Sequence, residues 1–297
     1  MDTKKIYTVI ALVFIVSNGY NLFWFLKNFF DFHDGLPLNF YIRYLPVFLG
    51  ITGVIIFLTS GFKRSNLLRM IMCMEVISFP FMLAWYIELF TRSYGPYDVP
   101  FRPNWTFYVG CIMNISLLIS SVVGLRLLSH NKVAKLNYIE YGAHRSVEFF
   151  FAPAGTRFIN WLVDVIILAF VLNINKDIFK YLFKVPEEMI WQVVSIIEIC
   201  YLLFYFILLE GVFNTSAGKC VTGTTIVNEK GNRPDFGQVL ARSFSRLIPF
   251  EAFSFFANNG RGWHDTISKT YVTASINKEE QDAGEITFDA ELNQTTV

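Results

Sequence analysis

Charge is scarce in this chain: Asp, Glu, Lys and Arg make up 16% of 297 residues, against 54% hydrophobic and 18% aromatic. That leaves too little polar surface to cover a soluble globule of this size, so lipid must be the solvent for much of the chain. Nor does one sign dominate, since 25 Lys plus Arg face 24 Asp plus Glu for a net charge of +1, and this removes the electrostatic case for a nucleic-acid partner. Cysteine is sparse as well. Cys73, Cys111, Cys200 and Cys220 fall singly, with neither the close spacing of a zinc site nor the density of a disulfide scaffold, and read as free thiols. No phosphate loop is present, because Gly218-Lys219 lacks the earlier glycine and the following Ser or Thr that such a loop requires. A nucleophile elbow and a paired-carboxylate site are also missing. These absences argue against an enzyme, and no cofactor or metal is expected.

What is present is a series of long apolar runs. At 1.5 Å per residue, about 20 helical residues cross a hydrocarbon core of about 30 Å. Six blocks have that length: Ile6 to Leu26, Tyr41 to Ser60, Leu68 to Phe90, Phe107 to Leu127, Phe158 to about Asn175, and Ile190 to Leu209. The first follows Lys4 and Lys5 as a signal peptide would, but it is too long and aromatic and has no small-residue cleavage site, so it is expected to remain as an anchor. Trp24, Trp105, Trp161 and Trp191 stand near span ends, where aromatic residues anchor a helix at the membrane interface. If the N-terminus is cytoplasmic, the outer segments keep Lys27, Arg43, Arg92, Arg102, Lys176, Lys180 and Lys184, which is 7 of the 25 basic residues against 18 inside. That bias predicts a multi-pass protein of the cytoplasmic (inner) membrane with both termini in the cytoplasm.

The expected fold is an all-α integral membrane protein of six transmembrane helices, with a cytoplasmic amphipathic segment that includes a small β-hairpin-like element. Residues 1–128 read as a four-helix transmembrane half, 129–151 as a cytoplasmic linker, 152–276 as a second membrane domain and 277–297 as a disordered acidic tail. Within the second domain, Val221 to Val227 alternates like a strand and runs into the Gly231 turn. Asp235 is placed to cap a helix in which Phe236, Val239, Leu240, Phe244, Leu247 and Ile248 recur at helical spacing until Pro249, as an interfacial helix does. Lys269 to Ala274 reads as a second strand that pairs with the first.

Three pieces of this half together resemble the RDD family, which is named for one arginine and two aspartates. They are Ala154-Gly155-Thr156-Arg157-Phe158-Ile159-Asn160-Trp161-Leu162-Val163-Asp164; Ser216-Ala217-Gly218-Lys219 leading into the strand; and Gly260-Arg261-Gly262-Trp263-His264-Asp265 followed by Thr270. They stand in the family's order and cover about residues 152–274. The resemblance implies a membrane domain and the motif residues Arg157, Asp164, Gly218, Lys219, Arg261, His264 and Asp265. It also brings a transport role that has been proposed for the family without being established in general. The first four spans resemble nothing named.

Arg157, Asn160 and Asp164 lie at i, i+3 and i+7, on one stripe of the fifth span facing one partner surface. Arg157 and Asp164 are about 10 Å apart along the axis, so each needs a partner elsewhere. A carboxylate at that depth costs about 2.5 to 3.5 kcal/mol on insertion scales unless it meets a wet cavity or a counter-charge. One reading makes Asp164, Glu198 and Glu75 acidic groups of a polar pathway for an ion or solute. The other makes Asp164 an anchor for Arg157's neighbours or for Arg242, Arg246 or Arg261, clamping the basic segment onto the spans. Asp31, His33 and Asp34 form a weak cation-like cluster that an exposed turn explains as well, and His264-Asp265, taken as adjacent side chains on an extended chain, would diverge. Two functions remain open: transport of a small ion or solute, or a non-enzymatic scaffold or accessory subunit that docks a membrane-protein partner or a second copy in the bilayer.

Overall fold

The computed structural model describes residues 3–31, 38–91, 93–94, 99–100, 104–141, 144–183, 189–257 and 261–278. The expected tail lies outside them beyond Lys278, as do His33 and Asp34 of the cation-like cluster. The structure is mostly helical and, among the described residues, has six helices long and apolar enough to cross a membrane and a small three-stranded sheet.

The long helices are α1 (Thr3–Asp31), α2 (Leu38–Thr59), α3 (Asn66–Thr91), α4 (Trp105–His130), α5 (Ala154–Phe183) and α6 (Ile190–Phe213). Each runs past its apolar block at one end or both, because residues at the ends of a span extend the backbone ladder while polar side chains there reach water. Two short ladders, β1 (Ser93–Tyr94) with β2 (Val99–Pro100) and β4 (Leu136–Tyr141) with β5 (His144–Phe149), are antiparallel pairs. By packing, the chain divides into two units, Met1–Leu125 with Val165–Leu202, and Arg126–Asp164 with Leu203–Val297.

In the first unit, α2 turns back into α3 through Gly61 and Phe62, both at positive φ (64° and 70°). Glycine takes that conformation freely and phenylalanine does not. The Phe62 ring compensates by packing on Phe57 and Tyr7, at centroid distances of 5.2 and 5.9 Å. The register of the pair is fixed where a Cβ on Gly53 would stand 3.2 Å from the Leu68 nitrogen. Pro46 in α2 and Pro80 in α3 each interrupt the helical ladder, since proline offers no N–H to the carbonyl four residues before it. Phe14, Val54, Phe57, Ile71, Met72, Ile77 and Leu125 form the buried core.

In the second unit the sheet runs in the order β3 (Lys132–Ala134), β7 (Thr270–Asn277), β6 (Thr224–Asn228). The expected pairing of two strands is therefore present, with Thr224 opposite Ala274 and Asn228 opposite Thr270. A third strand comes from the stretch after α4, with Val133 opposite Ile276. The first strand begins later than the alternating pattern predicts. Residues Ala217–Thr222 form a helix, α7, because the Ser216 side chain accepts from the Lys219 N–H and Gly223 closes the last turn at φ 66°. Val221 thus belongs to that last turn, and the β-branched run starts the strand only at Thr224. Asp235 caps α8 (Phe236–Ser245) as expected, with a reciprocal capping box to Gln238. The helix buries Val239, Arg242 and Ser243 and leaves Phe236 and Phe244 exposed; Phe250, Phe253 and Trp263 beyond it are exposed as well. Such a face suits a membrane interface. Two short helices follow, α9 (Ser254–Ala257) and α10 (Trp263–Ser268), the second leading directly into β7.

Candidate functional site

The α5 stripe is buried, and each of its three members finds a separate partner on the segments that follow α6. Arg157 donates to the Asp265 carboxylate and its Nη2 lies 3.2 Å from His264 Nε2. Asn160 donates to Thr224 Oγ1 at 3.0 Å and accepts from the Thr222 hydroxyl. Asp164 accepts from the Tyr205 hydroxyl at 2.6 Å, the Ser216 hydroxyl at 2.8 Å and the Gly218 N–H at 2.7 Å. Gly218 is required there by space: a Cβ would fall 2.1 Å from the Asn160 carbonyl oxygen, so any side chain would push α7 off α5.

A second acidic centre, Glu210 in the last turn of α6, takes the basic side chains. It accepts from Lys219 Nζ at 2.7 Å, Arg242 Nε at 3.1 Å and Arg246 Nη2 at 2.7 Å, while the Arg246 guanidinium stacks 3.7 Å above the Phe206 ring. Arg242 then reaches on through Nη1 to Asp265 and to Thr270 Oγ1 at 2.9 Å. Asp265 therefore sits between two arginines and also accepts from the Gly262 N–H at 3.1 Å. Arg157, Asn160, Asp164, Glu210, Lys219, Arg242 and Asp265 are each no more than 6% exposed. Asp164, Glu210, Glu251 and Asp265 balance Arg157, Lys219, Arg242 and Arg246, so the cluster is neutral when His264 is neutral.

Residues 151–269 match the RDD family, and the motif residues lie inside that match. The C-terminal half of this chain carries an RDD-family membrane domain. No curated protein and no solved structure matches the chain.

His264 of the RDD domain does not point away from Asp265 as an extended chain would require. Both lie on α10, with His264 Nε2 3.3 Å from Asp265 Oδ1, and His264 Nδ1 meets Glu251. Burial pushes the His264 pKa down to about 4 against the pull of Asp265. A neutral ring carrying its proton on Nδ1 satisfies the geometry: it donates to Glu251 and accepts from Arg157 on Nε2. Burial alone would raise the Asp265 carboxyl, but the Arg242 and Arg157 guanidiniums outweigh it and hold the group well below the usual carboxylate range. Burial lowers the Lys219 ammonium, with Glu210 opposing.

The RDD domain has a small cavity of about 40 Å³ among these side chains, room for about one water molecule. Both Asp164 oxygens are occupied by neutral donors, and the arginines expected as its partners are held by Glu210 and Asp265 instead. Arg261 is outside the cluster, stacked 4.5 Å from the Tyr271 ring centroid. Glu210, Tyr205, Ser216 and Glu251 are the members that sequence reasoning did not select. Glu210 had a usable signal, being the acid at the end of an apolar run that a basic segment follows.

The other two candidate acids are in the first unit. Glu198 is exposed on α6 and lines neither of the cavities described here. Glu75 is partly buried on α3 and opens into a cavity of about 410 Å³, whose polar lining includes Asn21, Arg43, Ser78 and Asn114. Among the described residues, its carboxylate makes no hydrogen bond or ion pair.

Proposed function

We infer that this protein moves or senses a small ion or solute within the membrane, through the first unit's cavity, and that the RDD cluster is the clamp that holds the second unit together. The observation that carries this reading is the contrast between two acidic sites. The RDD carboxylates are saturated, and the cavity that Asp164 and Glu251 line is only about 40 Å³, whereas Glu75 faces about 410 Å³ of partly polar space without a partner among the described residues. An unpaired intramembrane acid facing a cavity is by default a functional group. The role is non-enzymatic, since the acidic and basic side chains of the RDD cluster are engaged with one another. The excess of Lys and Arg in the segments assigned inside favours the inner membrane with both termini cytoplasmic.

The test is flux of protons, sodium and small organic solutes into vesicles reconstituted with the purified full chain. Flux above that of empty vesicles, lost in Glu75→Gln with folding intact, supports the reading. Flux that Glu75→Gln leaves unchanged overturns it. A scaffold or accessory subunit is the second reading, favoured by the closed RDD cluster and the exposed aromatic face of its domain. It predicts that gentle solubilisation from the native membrane recovers a near-stoichiometric complex.

A further inference from the structure

The lining of the first unit's cavity carries opposite charges at a separation that its helix register sets. Gly53 of α2 is level with Leu68 of α3. Seven residues back from Gly53 is Pro46 and seven on from Leu68 is Glu75, and both line the cavity, as antiparallel helices in that register require. Arg43, three residues earlier in α2, lines it as well. Its Cα is then about 4.5 Å along the axis from the level of Glu75, and its long side chain covers a range around that level. The two groups form no ion pair among the described residues.

Glu75 is partly buried and Arg43 is exposed at the cavity's edge, so an occupant of one charge would meet only one of them, and a lone cation on Glu75 would leave the guanidinium unused. A small occupant with both charges a few ångströms apart would satisfy both and leave the site neutral. The remaining lining suits an apolar body, because Trp85, Phe81 and Phe170 share the cavity with Val47, Met74 and Ile174, while Asn21 and Asn114 supply amides. Asn114 already donates to the Tyr86 hydroxyl at 3.0 Å, which orients its carboxamide. Pro46, which lines the cavity, interrupts the α2 ladder at this level because it offers no N–H to the Ile42 carbonyl. The volume, about 410 Å³, lies in the range of roughly 300–1,000 Å³ typical of small-molecule sites.

From this juxtaposition we propose that the cavity binds a small zwitterion with an apolar side chain, its ammonium on Glu75 and its carboxylate on Arg43. The proposal rests on the solute-handling reading above and adds the substrate class.

Its test is calorimetric binding to the full chain in nanodiscs, with phenylalanine, phenylalanine amide and N-acetylphenylalanine as probes. The amide lacks the carboxylate and the acetyl derivative lacks the ammonium, so the comparison needs no variant. The expected result is saturable binding of phenylalanine, at least tenfold weaker binding of both derivatives, loss of the discrimination against the amide in Arg43→Gln, and loss of the discrimination against the acetyl derivative in Glu75→Gln. The amide binding as tightly as phenylalanine would overturn the zwitterion in favour of an organic cation. Absence of binding by all three probes would overturn it too; if vesicle flux of protons or sodium is then still lost in Glu75→Gln, solute handling survives, and if flux is unaffected, both fall.

Discussion

At the scale of single residues, the two kinds of acid in this protein call for opposite responses to the same substitution. Asp164 accepts three hydrogen bonds from neutral donors, so Asp164→Asn turns an amide N–H toward at least one donor and strands it. The expected loss is about 1 to 3 kcal/mol, read as a lower unfolding midpoint in detergent. Glu210 is more exposed to such a change in energetic terms, because Lys219, Arg242 and Arg246 converge on it. Glu210→Gln leaves two buried cations and the partly buried Arg246 short of a counter-charge and is expected to destabilise by about 3 to 5 kcal/mol. Gly218→Ala acts by collision with the Asn160 carbonyl and should prevent α7 from seating, which limited proteolysis of the full chain would detect. Glu75→Gln, by contrast, removes no bond among the described residues and should leave the midpoint unchanged.

Between residues and the whole lie the elements, and here α10 gives a pH dependence. The His264 pKa falls on folding from the ordinary 6.5 to about 4. Between those values the unfolded chain takes up a proton that the folded one refuses, so stability falls as pH drops from about 6.5 to about 4 and the His264 contribution is flat outside that window. At full extent this amounts to on the order of 3 kcal/mol. Below it, protonation of Asp265 and Glu251, both held low in the fold, removes further stability. An unfolding midpoint that declines over that window in the wild type and not in His264→Gln would bear this out; equal slopes would contradict it. The α8 capping box is a smaller device, and Asp235→Ala should lower stability by about 1 kcal/mol.

For the molecule as a whole, what the sequence disclosed follows from which interactions are local. Spans are legible because each is defined by one continuous apolar run and a fixed rise per residue, and the strand pairing of Thr224–Asn228 with Thr270–Asn277 follows from β-branched alternation. The Asp235 cap was equally visible, being a matter of three residues. Partner choice was not. That Asp164 would bind Tyr205, Ser216 and Gly218, while Glu210 gathered the basic side chains, depends on the placement of α7 and α8 against α5 and α6, which no local pattern encodes. By sequence Glu198 is the deeper acid and Glu75 stands near the start of its span, yet Glu198 is exposed and Glu75 opens into a cavity, because helix rotation is set by packing rather than by composition. The strand Lys132–Ala134 was hidden in a stretch that reads as a linker, being three residues long and made regular only by its pairing with β7.

The central claim is a division of labour, with charges of the RDD domain building structure and the cavity of the first unit handling solute. Flux through vesicles carrying Glu75→Gln and Glu198→Gln side by side, at matched amounts of folded protein, tests it most directly. The account predicts loss of flux in Glu75→Gln and wild-type flux in Glu198→Gln. Wild-type flux in Glu75→Gln, or loss confined to Glu198→Gln, would contradict it.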